Sequence, residues 1–202
     1  MLERIPRREW HDLCIAWIAI TFAFTVAFLH DESITAASFF SVFIVSSLTV
    51  GVGFILHELS HKFTALHFGY WAEFKKDNLM LLLAVVLAAL TGIVFAAPGA
   101  TVIYAEYLSR KEDGLISAAG PLMNILLAIP FAALAFLGGD ILSVIGFAGW
   151  KVNAMLASFN MIPFGPLDGR KVLAWNFGVF LLLGAIAVGI LGLSYLVPFS
   201  IF

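Results

Sequence analysis

Gly51-Val52-Gly53-Phe54-Ile55-Leu56-His57-Glu58-Leu59-Ser60-His61 decides how this chain is read, because an H-E-x-x-H pattern stands at the end of an unbroken apolar run. Residues four apart on a helix share a face, so His57 and His61 can reach one metal ion while Glu58 stands beside it. Zn²⁺ accepts neutral imidazole and lowers the pKa of a bound water to roughly 7, so a neighbouring carboxylate can take its proton. Glu58 therefore reads as a base, and the histidines as ligands. A chance match on a solvated helix is the ordinary fate of so short a motif, but the setting argues against it. An ionisable residue at membrane depth costs about 2.5–3.5 kcal/mol, and three together need a compensating partner such as a metal.

Composition extends the same reading outward. Of 202 residues, 62% are hydrophobic and 12% charged, where soluble domains carry about 25% charge. The fold class expected is an all-α polytopic membrane protein, organised over 1–202 as a single integral membrane domain with no appended soluble module. A net charge of −2 without a long basic block gives no support to nucleic-acid binding. The single cysteine, Cys14, excludes an intramolecular disulfide. Leu13 to Leu29 is long for a signal-peptide core, and Glu3, Glu9 and Asp12 crowd its flank, so it is expected to remain as an anchor.

A spanning helix needs about 20 apolar residues, which marks six segments: 13–30, 37–66, 79–98, 115–138, 141–162 and 177–198. Basic residues cluster at Arg4, Arg7 and Arg8, at Lys62, Lys75 and Lys76, at Arg110-Lys111 and at Arg170-Lys171, and these are expected to be cytoplasmic. The link from His30 to Ala36 has no Lys or Arg and belongs outside. If 79–98 crossed fully, Arg110-Lys111 would lie outside as well. A re-entrant 79–98, bending at Ala97-Pro98-Gly99, restores the charge rule and leaves five full spans. A complete hairpin within 79–108 gives the same parity with legs short for a span. Irregular backbone at membrane depth needs shielding by protein or a watery cavity, so the re-entrant segment is expected to border the site.

A catalytic zinc site takes three protein ligands and one open position. His67 lies ten residues beyond His57 and roughly 80° off its face, while His11, His30 and Cys14 map elsewhere. Asp168 is the leading candidate, because it follows Pro163-Phe164-Gly165-Pro166 on the side assigned to the histidines. For a lone Asp-Gly, capping a short helix begun at Asp168-Gly169-Arg170-Lys171 is the more ordinary role, and local sequence leaves both readings open.

Two wider motifs bear on that choice. Asn160-Met161-Ile162-Pro163-Phe164-Gly165-Pro166-Leu167-Asp168-Gly169 and Gly120-Pro121-Leu122-Met123-Asn124, taken with the H-E-x-x-H, resemble the site-2 protease family of intramembrane zinc metalloproteases, which carries N-x-x-P-x-x-P-L-D-G and G-P-x-x-N elements. The resemblance covers segments two to five and is weak over 1–36 and 170–202. It implies that His57, His61 and Asp168 bind one catalytic Zn²⁺, that Glu58 is base and proton shuttle, and that Asn160 helps hold the substrate backbone. It further implies a transmembrane protein or peptide as substrate, cleaved within or near its membrane segment.

The remaining polar residues have plainer readings beside these. Asn124 is a candidate substrate or oxyanion contact, or else a brace between helices. Asn153 shares a helix face with Asn160 and is expected to be structural, with Lys151 nearby snorkelling to the interface. Glu73, Glu106, Glu112, Asp113 and Asp140 fall at segment ends, where solvated charge is the default. Gly51 and Gly53 are expected to permit helix packing. The alternative function is a membrane metal-ion transporter or metal-binding membrane protein, since intramembrane His, Asp and Glu also mark ion pathways. Other H-E-x-x-H membrane peptidases usually take Glu as third ligand, against which the Leu167-Asp168-Gly169 pattern speaks.

Overall fold

Apolar runs that cannot leave a backbone N–H or C=O unpaired in lipid must close their hydrogen bonds internally, and eight α-helices do so in the computed structural model, which describes residues 5–30, 35–94 and 99–197. Helix α1 is Arg7–Phe28. Helix α2, Ala36–Ser46, passes through a π-helical turn, Ser47–Gly51, into α3, Val52–His67, which carries the H-E-x-x-H. Then follow α4 (Asn78–Thr91), α5 (Arg110–Leu137), α6 (Asp140–Asn160), α7 (Asp168–Trp175) and α8 (Phe177–Leu196). Polar caps start several of them: Thr35 and Ser109 form capping boxes, and Asp77 accepts from the backbone of Leu79 and Met80, satisfying N–H groups that a helix start leaves free.

Five stretches, Arg7–Phe28, Ala36–His67, Arg110–Leu137, Asp140–Asn160 and Phe177–Leu196, are long and apolar enough to cross a membrane. Leu82, Leu90, Ile129, Phe136, Leu181 and Leu193 are exposed on the bundle's outside, where only lipid would make them favourable. This is the all-α polytopic membrane architecture that composition indicated.

The helical expectation needs one addition. Strands β1, Trp71–Lys76, and β2, Gly99–Tyr104, form an antiparallel pair with Lys76 opposite Gly99 and Phe74 opposite Thr101. That pairing bears directly on segment 79–98. Its helix α4 has 14 residues, about 21 Å at 1.5 Å per residue and short of the roughly 30 Å hydrocarbon core. Because Lys76 and Gly99 are cross-strand partners, the chain between them leaves and returns to one place. Most of the bend expected at Ala97-Pro98-Gly99, and of the link from His30 to Ala36, lies outside the described residues, as does Arg4; Gly99 itself opens β2.

Helix α5 packs along α6, with α3 and α7 against α5, while α1 packs on α4 and β1. Gly51 admits the Trp17 indole, whose Nε1 donates to the Ser47 carbonyl in the π turn (3.2 Å), and Gly53 admits Asn153. Lys62, one of the basic residues expected on the cytoplasmic side, is fully buried. Its Nζ donates to Glu9 Oε2, the Phe74 N–H donates to Glu9 Oε1 at 3.0 Å, and Trp71 lies 5.4 Å from the ammonium. Glu9 thus ties the first turn of α1 to α3 and β1. Lys171 and Asp113 (3.2 Å) and the contact of Gly114 with Trp175 join the start of α5 to α7.

Candidate metal centre

One turn of α3 supplies two imidazoles, and α7 brings the third donor to them. His57 Nε2 and His61 Nε2 lie 3.0 Å apart, and Asp168 Oδ2 is 3.3 Å from each. For bonds of about 2.0–2.2 Å, the edges of a zinc tetrahedron are about 3.3–3.6 Å, so these three atoms are spaced as one small cation requires. Among the described residues this is the one group of three or more His, Cys, Asp or Glu side chains converging in this way. The donor chemistry fits as well: two neutral nitrogens and one carboxylate oxygen make a set suited to catalytic zinc.

The far side of each ring sets its tautomer. His57 Nδ1 is 2.6 Å from Asn124 Oδ1, and His61 Nδ1 is 2.8 Å from the Ile116 carbonyl. Both oxygens can only accept, so each Nδ1 carries the proton and each Nε2 presents a lone pair. Asn124 is itself fixed. Its Nδ2 donates to the Gly53 carbonyl at 3.2 Å and to Asn153 Oδ1 at 2.9 Å, and Asn153 Nδ2 donates to the Gly149 carbonyl at 2.8 Å. Asn124 and Asn153 are both fully buried. The Asn124 amide is thus engaged at both ends by protein, as a brace between helices would be, and the residue also lines the cavity described below.

Asp168 begins α7, but its carboxylate does not cap that helix; the residue before it, Leu167, has the extended N-cap backbone, and no side-chain cap bond forms. Gly169 lets α7 start against the end of α6, since a Cβ there would stand 2.2 Å from the Met161 carbonyl oxygen.

Glu58 lies outside the three-donor cluster. Thr101 Oγ1 on β2 donates to its Oε2 at 2.9 Å and also lies 3.1 Å from its backbone carbonyl. Beside His57 and Glu58 is a cavity of about 250 Å³, walled by apolar side chains including Phe24, Phe54, Ile93, Val94 and Phe159, and by Gly99, Asn124 and Asn160. Residues 93 and 94, within the segment expected to border the site, do border it. Asn160 lines this cavity while its Nδ2 donates to the Leu156 carbonyl at 3.0 Å. His67 faces a different groove, between α3 and α5. His11 lies near Asp12, His30 against Gly92, and Cys14 is exposed.

Three residues were not placed at this site by the sequence reading. Thr101 stands in the unanticipated strand. Gly120 was quoted in its motif only, yet a Cβ there would come 2.4 Å from His61 Nε2 and 2.6 Å from His57 Cε1. Asn153 was read as structural, without its link through Asn124 to His57.

The chain is 42% identical over 188 residues to a Methanocaldococcus jannaschii protein named putative zinc metalloprotease MJ0611, covering 92% of this chain and 94% of that one. It is 29% identical over 175 residues to the putative zinc metalloprotease Rip2 of Mycolicibacterium smegmatis, covering 77% and 66%. It is also 29% identical over 144 residues to the putative zinc metalloprotease YwhC of Bacillus subtilis, covering 62% and 66%. No family model and no solved structure matches the chain.

Proposed function

The chain belongs to the site-2 protease-like family of zinc metalloproteases, a membrane metalloprotease by its helices, and from that premise we propose that it hydrolyses peptide bonds within or near the transmembrane segments of membrane-anchored substrates. The observation that carries this reading is the convergence of His57, His61 and Asp168 beside Glu58 at an apolar cavity inside the bundle. His61 and His57 precede the end of α3 by six and ten residues, about 9 and 15 Å at 1.5 Å per residue, which supports a site below the helix end, within reach of a membrane-embedded peptide.

His57, His61 and Asp168 would hold a single zinc ion, which supplies Lewis-acid polarisation of the scissile carbonyl and acidifies the attacking water. Glu58 takes a proton from that water and delivers it to the leaving amine. A helical substrate hides its carbonyls in internal hydrogen bonds, so it must unwind before attack. Asn160, at the cavity wall, holds the extended backbone, and Ile93 and Val94 flank it. The clustered basic residues support an N-terminus and a site opening on the cytoplasmic side, with residues 1–202 acting as one membrane domain.

The test is to purify wild type, Glu58→Gln and Asp168→Ala in detergent, measure bound zinc, and assay cleavage of a transmembrane peptide with a helix-destabilised segment. Glu58→Gln should keep zinc and lose cleavage, and Asp168→Ala should lose or weaken zinc. Equal metal in all three, with no cleavage dependent on Glu58, would remove Asp168 from the site and put metal transport or storage first.

A further inference from the structure

We propose that Thr101 is a positioning residue for the general base, holding the Glu58 carboxylate in the one orientation from which it can take the proton of the attacking water. This rests on the protease reading above. A glutamate side chain has three rotatable bonds, and near-attack geometry tolerates errors well under 1 Å, so a base on a helix face needs something to fix its rotamer. Glu58 is buried, and Thr101 Oγ1, 2.9 Å from Oε2, is the side-chain hydrogen-bond partner described for that carboxylate.

The hydroxyl has one proton and two oxygens within reach, Oε2 and the Glu58 backbone carbonyl at 3.1 Å. The carboxylate is the stronger acceptor, because a hydrogen bond to an ionised group is roughly twice as strong as a neutral one. Donation to Oε2 leaves Oε1 for the water. When Glu58 is protonated and then gives that proton to the departing amine, Thr101 neither gains nor loses one; it holds Oε2 throughout. Thr101 is not itself mobile on a loop. It occupies the third position of β2, opposite Phe74 of β1, and Phe74 is buried with its N–H bound to Glu9. The hydroxyl is therefore delivered from a paired strand, and a β-branched residue suits that position whatever its polarity.

That last point supplies the experiment. Thr101→Val keeps shape and strand preference while deleting the donor, and Thr101→Ser restores the donor. Wild type, Thr101→Val, Thr101→Ser and Glu58→Gln are purified full length in detergent and compared for zinc content, thermal midpoint, and kcat and KM on the transmembrane peptide. Thr101→Val should retain wild-type zinc and midpoint, keep KM, and lose kcat by about 10- to 100-fold, the usual effect of removing an outer-shell partner; Thr101→Ser should recover most of it. Should the valine variant fail to fold, Thr101→Cys, close in size but a weak donor, carries the same expected loss of kcat. A valine or cysteine variant at wild-type kcat, beside an inactive Glu58→Gln, would overturn the positioning role and leave the protease intact. A fall in zinc or in thermal midpoint that serine does not repair would make Thr101 structural and equally overturn it. Wild type no more active than Glu58→Gln would end the protease reading, and this proposal with it.

Discussion

Replacing Gly120 by alanine probes the metal centre through a residue that donates nothing to it. The added Cβ would stand 2.4 Å from His61 Nε2 and 2.6 Å from His57 Cε1, where ordinary contact is about 3.5–4.0 Å. The rings must retreat by about 1 Å. Rotation, the usual escape for a side chain, is closed to both: His57 Nδ1 is held by Asn124 Oδ1 at 2.6 Å and His61 Nδ1 by the Ile116 carbonyl at 2.8 Å, so swinging either ring away breaks a buried hydrogen bond. Metal–ligand distances tolerate about 0.2 Å, several times less than the displacement required. Zinc affinity should fall by at least about 10- to 100-fold and cleavage with it, while overpacking alone lowers stability by only about 1–3 kcal/mol. The assay is chelator competition for zinc on the purified protein, with Gly184→Ala as control because a Cβ there meets nothing within 4 Å. Gly120→Ala binding zinc as tightly as Gly184→Ala would show that the rings are free to move, and would refute the argument that α5 clamps them.

Asn124→Ala removes the acceptor for the His57 Nδ1 proton and leaves Asn153 Oδ1 without its donor; zinc should bind about 10- to 100-fold more weakly in chelator competition, and unchanged affinity would place tautomer control elsewhere. Glu9→Gln leaves the Lys62 ammonium buried without its counter-charge, which should cost about 3–5 kcal/mol and lower the thermal midpoint in detergent. Adding Lys62→Met to Glu9→Gln should recover most of that loss, whereas a single variant as stable as wild type would mean that water reaches this pair.

The membrane character, the five apolar stretches long enough to span and the pairing of His57 with His61 were legible because each is written in a strong local code, whereas Asp168 rested on the wider motif, since local sequence left a helix-capping role open. Apolar length marks a span, the four-residue spacing of His57 and His61 marks a shared helix face, and the Pro163–Leu167 turn marks where a helix stops. The hairpin was harder. Trp71–Lys76 and Gly99–Tyr104 are short, and they pair across an apolar helix, so no turn signal joins them in sequence. The β-branched residues of Thr101-Val102-Ile103-Tyr104 were the available sign. The burial of Lys62 was invisible for a different reason. A lysine beside other basic residues reads as solvated, and only the return of β1 to the first turn of α1 reveals Glu9 as its partner. Gly120 and Asn124 were visible as a motif, but their roles depend on which ring atoms they approach, and that is a property of packing between α3 and α5.

The polar contacts around Glu58 close on themselves. Lys62 of α3 binds Glu9 of α1; Glu9 accepts the N–H of Phe74 in β1; Phe74 stands opposite Thr101 in β2; and Thr101 donates to Glu58, one helical turn before Lys62. A buried ion pair is a weak source of net stability, because desolvation of both charges offsets most of their attraction. What it does supply is registry: apolar contacts alone tolerate sliding, while Glu9 can satisfy Lys62 and the Phe74 N–H together only when the hairpin sits at one height on α3. The same height puts Thr101 against Glu58. Lys62 and Glu58 lie four residues apart on one helix face, so a shift of the hairpin that frees Glu58 must also strip Glu9 from a charge that is fully buried. The cost of leaving that charge unpaired therefore guards the geometry of a group that Glu9 never touches.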